Sequence, residues 1–143
     1  MRILAVDWGE RRVGLAISDP SGTLASPLPT RTVRDPADAV EQVAAVAAGE
    51  EAERIVVGLP LLLSGERGEA AHAAEAFAER LAQRTALPVE TYDERLTSAL
   101  GERMLREAGT RRRRDKGQID QSAAVMLLDS FLQRLANQRR ERP

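Results

Sequence analysis

An α/β domain built on a five-stranded mixed sheet is the fold class this sequence predicts, and three observations predict it. Short continuous apolar runs, such as residues 3–6 and 55–57, suit strands buried on both faces. The first three strand-like segments follow one another with only tight turns between them, as in an antiparallel meander. Beyond residue 35 the remaining runs alternate with stretches of helical period, which predicts parallel pairing through right-handed crossovers.

The elements follow in order. Residues 3–6 form the first strand, and Trp8-Gly9-Glu10 reads as a turn. Residues 13–17 form the second strand, which ends at Ser18-Asp19-Pro20, with Ser21-Gly22 as a further turn signal. Residues 23–33 carry Pro27 and Pro29. Proline cannot donate to a sheet ladder, so this segment is an edge strand or irregular. Asp35-Pro36 opens a helix, Asp as N-cap and Pro at the first helical position. Val40, Val43, Ala44 and Ala47 mark its buried side, and Gly49 stops it. Residues 55–57 are the next strand and end at Gly58-Leu59-Pro60. Ser64-Gly65 opens a second helix, with Ala70, Ala73, Ala74, Phe77 and Leu81 as its buried stripe. Residues 88–92 are the last strand, leading into Asp93-Glu94. A third helix is expected over about 96–108 and a last one over about 118–136. Between them, residues 109–117 are polar, bounded by glycine and very basic, and are expected to form a mobile loop.

The order is thus β-β-β-α-β-α-β-α-α, the ribonuclease H-like topology: a meander followed by two β-α units. No repeat or domain boundary is visible, so residues 1–143 read as one domain with a basic tail over 137–143. A chain of 143 residues is long enough to bury its own core. It has no cysteine, which excludes disulfides and thiolate metal sites. The opening apolar run is too short for a signal peptide or a membrane span, so a soluble, cytoplasmic protein is expected, as monomer or homodimer.

The formal net charge of −1 argues for no partner, but the distribution does. Arg111, Arg112, Arg113, Arg114 and Lys116 form one dense positive segment, and Arg139, Arg140 and Arg142 follow in the tail. Such clusters suit a nucleic-acid footprint; solvated surface is the plainer reading. Lys116 is the only lysine, so an arginine-rich codon bias also explains part of the pattern.

Three carboxylates carry the chemistry. Asp7 and Glu94 stand at the carboxyl ends of the first and last strands, where open α/β sheets gather ligands. With one strand between them, their backbones lie about 10 Å apart at a strand spacing of ~4.8 Å, a gap two inward side chains can close on a cation. Asp120 precedes Ala123 and Ala124 by three and four residues. It therefore falls on the apolar stripe that continues through Leu127, Phe131 and Leu135. A buried carboxylate is costly without a partner. Asp7 as a turn cap and Asp120 as a first-turn helix acid are the alternatives. Asp93 points to the opposite face from Glu94 and is expected to pair with Arg95 or cap a helix. Asp19 reads as turn chemistry. His72, the only histidine, lies off its helix's stripe and is expected to be solvated. An oxygen-only donor set favours Mg²⁺ or Mn²⁺ over Zn²⁺. Such a site would hydrolyse phosphodiesters by in-line attack of water. Arg11, Arg12 and Arg95 would then hold phosphates, and the 111–116 segment would contact the backbone without reading sequence.

Four segments, in order and over nearly the whole chain, resemble the motifs of the YqgF/RuvX nuclease family. They are Asp7-Trp8-Gly9 with Arg12, Val13-Gly14-Leu15-Ala16 and Ser18-Asp19; Gly58-Leu59-Pro60 with Gly65 and Gly68; residues 92–98; and Lys116-Gly117 with Asp120 and Ala123-Ala124. The resemblance implies a ribonuclease H-like fold related to the RuvC resolvases, with catalytic acids at Asp7, Glu94 and Asp120. It also implies a role in maturing the 16S rRNA 5′ end, with cleavage of junction DNA as the alternative. Leu61-Leu62-Leu63-Ser64 departs from the family, which often has polar residues there. These leucines suit contact with a partner subunit or an unstacked base.

Two other classes compete. Asp7-x-Gly9 followed by Gly14 also resembles the phosphate loop of actin-like kinases, but this chain has no room for the second lobe that clamps ATP. A nucleic-acid binder without catalysis is the other, and three acids in place argue against it.

Overall fold

A computed structural model describes the backbone of residues 1–96 and 116–141, and the side chains of 1–95 and 123–141. The strands are β1 (Ile3–Asp7), β2 (Arg12–Ser18), β3 (Ala25–Thr32), β4 (Arg54–Leu59) and β5 (Val89–Asp93). The helices are α1 (Pro36–Gly49), α2 (Glu69–Thr85) and α3 (Lys116–Glu141), with a single 3₁₀ turn at Glu94–Leu96. The sheet order is β3-β2-β1-β4-β5. β1-β2 and β2-β3 are antiparallel, while β1-β4 and β4-β5 are parallel, the mixed sheet expected from the sequence.

Side-chain alternation divides the strands between two cores. Leu4 and Val6 of β1 and Ile55, Val57 and Leu59 of β4 face α1 and α2, which add Val40, Val43, Phe77 and Leu81. Ile3 and Ala5, with Val56 of β4 and Tyr92 of β5, face α3 through Ala123, Ala124, Leu127, Leu128 and Phe131. The helices thus flank the sheet on both sides, which is why the middles of β1 and β4 are apolar on both faces.

The edge position expected for the proline-bearing segment is observed. β3 pairs only with β2, and its register slips opposite Gly14, between Val13↔Arg31 and Leu15↔Leu28. Pro29 lies inside that slip, where no ladder donor is missed. α1 starts as expected: the Asp35 side chain accepts the Asp38 N–H at 2.8 Å, with proline in the first turn.

Three boundaries differ from expectation. α2 begins at Glu69 rather than near Ser64, because Gly65 has φ +92° and a loop closes first. There Leu62 N–H donates to Glu66 O at 3.0 Å and Gly65 N–H to Leu62 O at 2.8 Å. The α2 stripe is Ala71, Ala74, Phe77, Ala78 and Leu81, leaving Ala70 and Ala73 exposed. Alanines contribute little burial, so Phe77 and Leu81 set the phase. α3 spans Lys116–Glu141, so Lys116 and Gly117, expected in the basic loop, and residues 137–141, expected in the tail, are helical. The helix expected over 96–108 lies outside the described residues beyond Leu96, as do residues 109–115 of the loop. Among the described residues no helix is long and apolar enough to cross a membrane.

Candidate functional site

The site is built where β1, β4 and β5 end. Asp7 is the last residue of β1 and has the parity of Ile3 and Ala5, so it belongs to the α3 face. The next residue fixes that choice. Trp8 turns to the other face and stacks on Phe77 of α2, ring centroids 4.6 Å apart and planes 18° apart. Asp7 pairs with Gly14 of β2, and the Gly9 turn that follows is tight. A Cβ at Gly9 would lie 2.6 Å from the Arg12 carbonyl oxygen. Asp7 is 4% exposed.

Glu94 follows β5. Gly58 of β4 pairs with Tyr92, and Val6 pairs with Val57, so Asp7 and Gly58 are the next residues along neighbouring strands. Glu94 shares the parity of Tyr92 and lies on the same face. Its side chain leans over β4: a Cβ built on Gly58 would lie 2.4 Å from Glu94 Oε1. Glu94 is 1% exposed. One carboxylate therefore occupies the place where its neighbouring strand has no side chain, and that strand is the one bordering Asp7. The order β1-β4-β5 gives the single intervening strand expected.

Asp120 lies within the first turns of α3, three residues before Ala123, and α3 is the helix that covers this face. Its side chain is outside the described ones. Among the described residues no three His, Asp or Glu side chains converge as a metal cluster. Asp7 and Glu94 are the two expected ligands within that set. Their chemistry fits a hard cation: oxygen donors only, both carboxylates buried, with no histidine nearby.

The basic residues divide. Arg11, exposed, and Arg12, half-buried, lie in the β1–β2 turn and at the start of β2, at the same edge as Asp7. The Arg11 carbonyl accepts the Val33 N–H at 2.8 Å. Arg95, expected at a phosphate, is clamped on its neighbour. Its Nη2 donates to Asp93 Oδ2 at 2.8 Å and its Nε to both Asp93 oxygens at 3.1 Å. The hydrogen bonds from the Arg95 guanidinium hold the Asp93 carboxyl below its ordinary range. Asp93 thus pairs with Arg95, as its strand position suggested. Lys116 is the first residue of α3. Arg111, Arg112, Arg113 and Arg114 lie outside the described residues.

Three smaller expectations resolve. Asp19 is turn chemistry: it accepts the N–H groups of Leu24 and Thr23, each at 2.8 Å, and the Ser21 hydroxyl. Those bonds, the Leu24 one foremost, hold it far below the usual carboxylate range. His72 is mostly exposed, its Nδ1 3.9 Å from Glu75 Oε1. Of the three leucines, Leu61 packs against the core, while Leu62 and Leu63 are 52% and 72% exposed. Their loop is tied to the site by Arg95 Nη1, which donates to the Leu63 carbonyl at 3.4 Å.

Sequence reasoning missed Gly58 as a site residue. The available signal was a glycine inside an apolar strand run, which marks a close approach.

A family model described as "RuvX: Holliday junction resolvase" matches residues 1–134. A "Putative pre-16S rRNA nuclease" of Chloroflexus aurantiacus is 45% identical over 130 residues, 91% of this chain and 85% of its own length. A relative of the same name from Pelotomaculum thermopropionicum is 42% identical over 142 residues, 99% of this chain and 92% of its own. Among solved structures, T. thermophilus RuvC in complex with a Holliday junction substrate superimposes with a TM-score of 0.56 at 19% identity, over 94% of this chain and 96% of that chain. This last likeness is one of fold, and it bears out the ribonuclease H-like architecture.

Proposed function

This chain belongs to the RuvX family, and from that premise we propose that it is a divalent-metal-dependent nuclease hydrolysing phosphodiester bonds of structured nucleic acid. The names of its relatives favour pre-16S rRNA as the substrate, which would place the reaction in the cytoplasm. One observation carries the reading. Two buried acids, Asp7 and Glu94, share a face and an edge, and Gly58 between them gives the Glu94 carboxylate its room. A cation bound between them would offset their mutual repulsion.

Asp7, Glu94 and Asp120 would hold Mg²⁺ or Mn²⁺. When bound, the cation stabilises the attacking and leaving oxygens of an in-line displacement. The chain's own part is positional. The β1 end, pinned by Trp8 on Phe77, fixes Asp7, and the β5 end fixes Glu94. Arg11 and Arg12, at the same edge, would meet substrate phosphates with no base readout. Arg95 is committed to Asp93, so its contribution is to hold the loop of Leu62 and Leu63 beside the site.

A cleavage panel tests this reading: single-stranded RNA, structured RNA and four-way DNA junctions, each with Mg²⁺, Mn²⁺ or chelator. Cutting of structured RNA that requires the metal is expected. Cutting that survives chelation would overturn the metal assignment. The family description also names junction DNA, and preferential cutting of the four-way arm would move the substrate to DNA.

A further inference from the structure

We propose that Gly58 is a positioning residue: its missing side chain makes the slot in which the Glu94 carboxylate lies. The inference rests on Glu94 serving the nuclease site.

Space, not backbone shape, requires glycine here. Gly58 lies in β4, paired with β5, and is not one of the positive-φ glycines, which among the described residues are Gly22 and Gly65. An L-residue could adopt its conformation, and its strand neighbours Val57 and Leu59 are large. Glycine inside a strand weakens it, so its presence at this position needs a steric cause. That cause is Glu94. The three atoms nearest to a Cβ at Gly58 all belong to that side chain: Oε1 at 2.4 Å, Cδ at 3.2 Å and Cγ at 3.2 Å. Glu94 is buried and cannot swing into water. An added methyl must therefore displace the carboxylate itself, and the fold around it has little reason to change.

The test compares Gly58→Ala, Glu94→Asp, their double variant and Glu94→Gln with the parent chain. The measurements are kcat and KM for a cleaved nucleic acid, Mn²⁺ affinity by calorimetry without nucleic acid, and Tm. Groups that orient metal ligands typically account for 10–100-fold in affinity or activity. Gly58→Ala should accordingly lose roughly 10–100-fold in kcat and in Mn²⁺ affinity, with KM and Tm near the parent values. In the Glu94→Asp background the same methyl should cost far less, because the shorter side chain withdraws its carboxylate from the slot. Full activity of Gly58→Ala would overturn the proposal, as would an equal loss in both backgrounds. A Gly58→Ala chain that fails to fold, and is not rescued by Glu94→Asp, would overturn it too, since the methyl would then meet something other than Glu94. Glu94→Gln isolates the underlying reading. If that variant cuts like the parent, the role of Glu94 falls, and Gly58 with it; if it is inactive while Gly58→Ala is unimpaired, only the slot is refuted.

Discussion

The two faces of the sheet use the same strands for different ends. On the side of α1 and α2, β1 and β4 stay apolar to their last residues: Leu4, Val6, Ile55, Val57 and Leu59, closed off by Trp8 against Phe77. On the side of α3 they carry Ile3, Ala5 and Val56, with Arg54 over the Phe131 ring at the start of β4, and then change at one edge to Asp7 and Gly58, joined by Glu94 after β5. One face is spent wholly on stability, and the other gives up its last row. Because alternate residues of one strand serve both, chemistry and folding energy can be perturbed separately by mutations one position apart.

Asp7→Asn and Glu94→Gln sharpen that contrast most. Changing residues that merely orient ligands costs about 10–100-fold, so losing a ligand itself should reduce cleavage by roughly 100-fold or more. The Tm, measured alongside, separates loss of chemistry from loss of fold. A variant that still cuts in a preparation free of contaminating nuclease would break the assignment, and the same assay applies to Asp120→Asn. Leu81→Ala, on the other face, should do the reverse. Truncating a buried leucine costs about 2–5 kcal/mol, read by denaturant unfolding, while activity well below the transition persists. Loss of activity in fully folded Leu81→Ala would show that the faces are not independent.

The legibility of the molecule follows the same division. β1, β2 and β4 were readable because their runs are apolar on both faces, and α1 because Asp35-Pro36 combines a side-chain acceptor with a fixed φ. The start of α2 was not readable, because Ser64-Gly65 looks like a helix opening but Gly65, at φ +92°, turns the chain into a loop first. The candidate acids were legible from strand ends and from helical spacing in α3. The service of Gly58 to Glu94 was not, because it joins residues on different strands and depends on the direction of a side chain. Arg95 was read as a phosphate ligand from its proximity to Glu94, and its pairing with Asp93 was legible from the same segment.

Smaller effects probe the rim. Asp93 titrates below its ordinary value of 3.8 because Arg95 donates to its charged form. A depressed folded-state pKa stabilises the fold above the unfolded value, and that contribution is lost as pH falls through the lower one. The pair is partly solvated, so its weight is small. In Arg95→Ala the Asp93 midpoint, followed by NMR, should rise into the usual carboxylate range; an unchanged midpoint would exclude Arg95 as the cause. Smallest is Leu62→Asp. At an exposed loop position it should shift stability by no more than about 0.5 kcal/mol. Its sedimentation beside the parent chain would show whether these leucines join two copies.

The slipped register of β3 has a consequence for crowded solution. An outermost strand offers its free peptide groups to any other extended chain that drifts past, the usual start of sheet-to-sheet aggregation. Here Pro27 and Pro29 remove two amide donors and the slip opposite Gly14 interrupts the rest. On that flank the sheet ends in a border that is a poor template for a foreign strand.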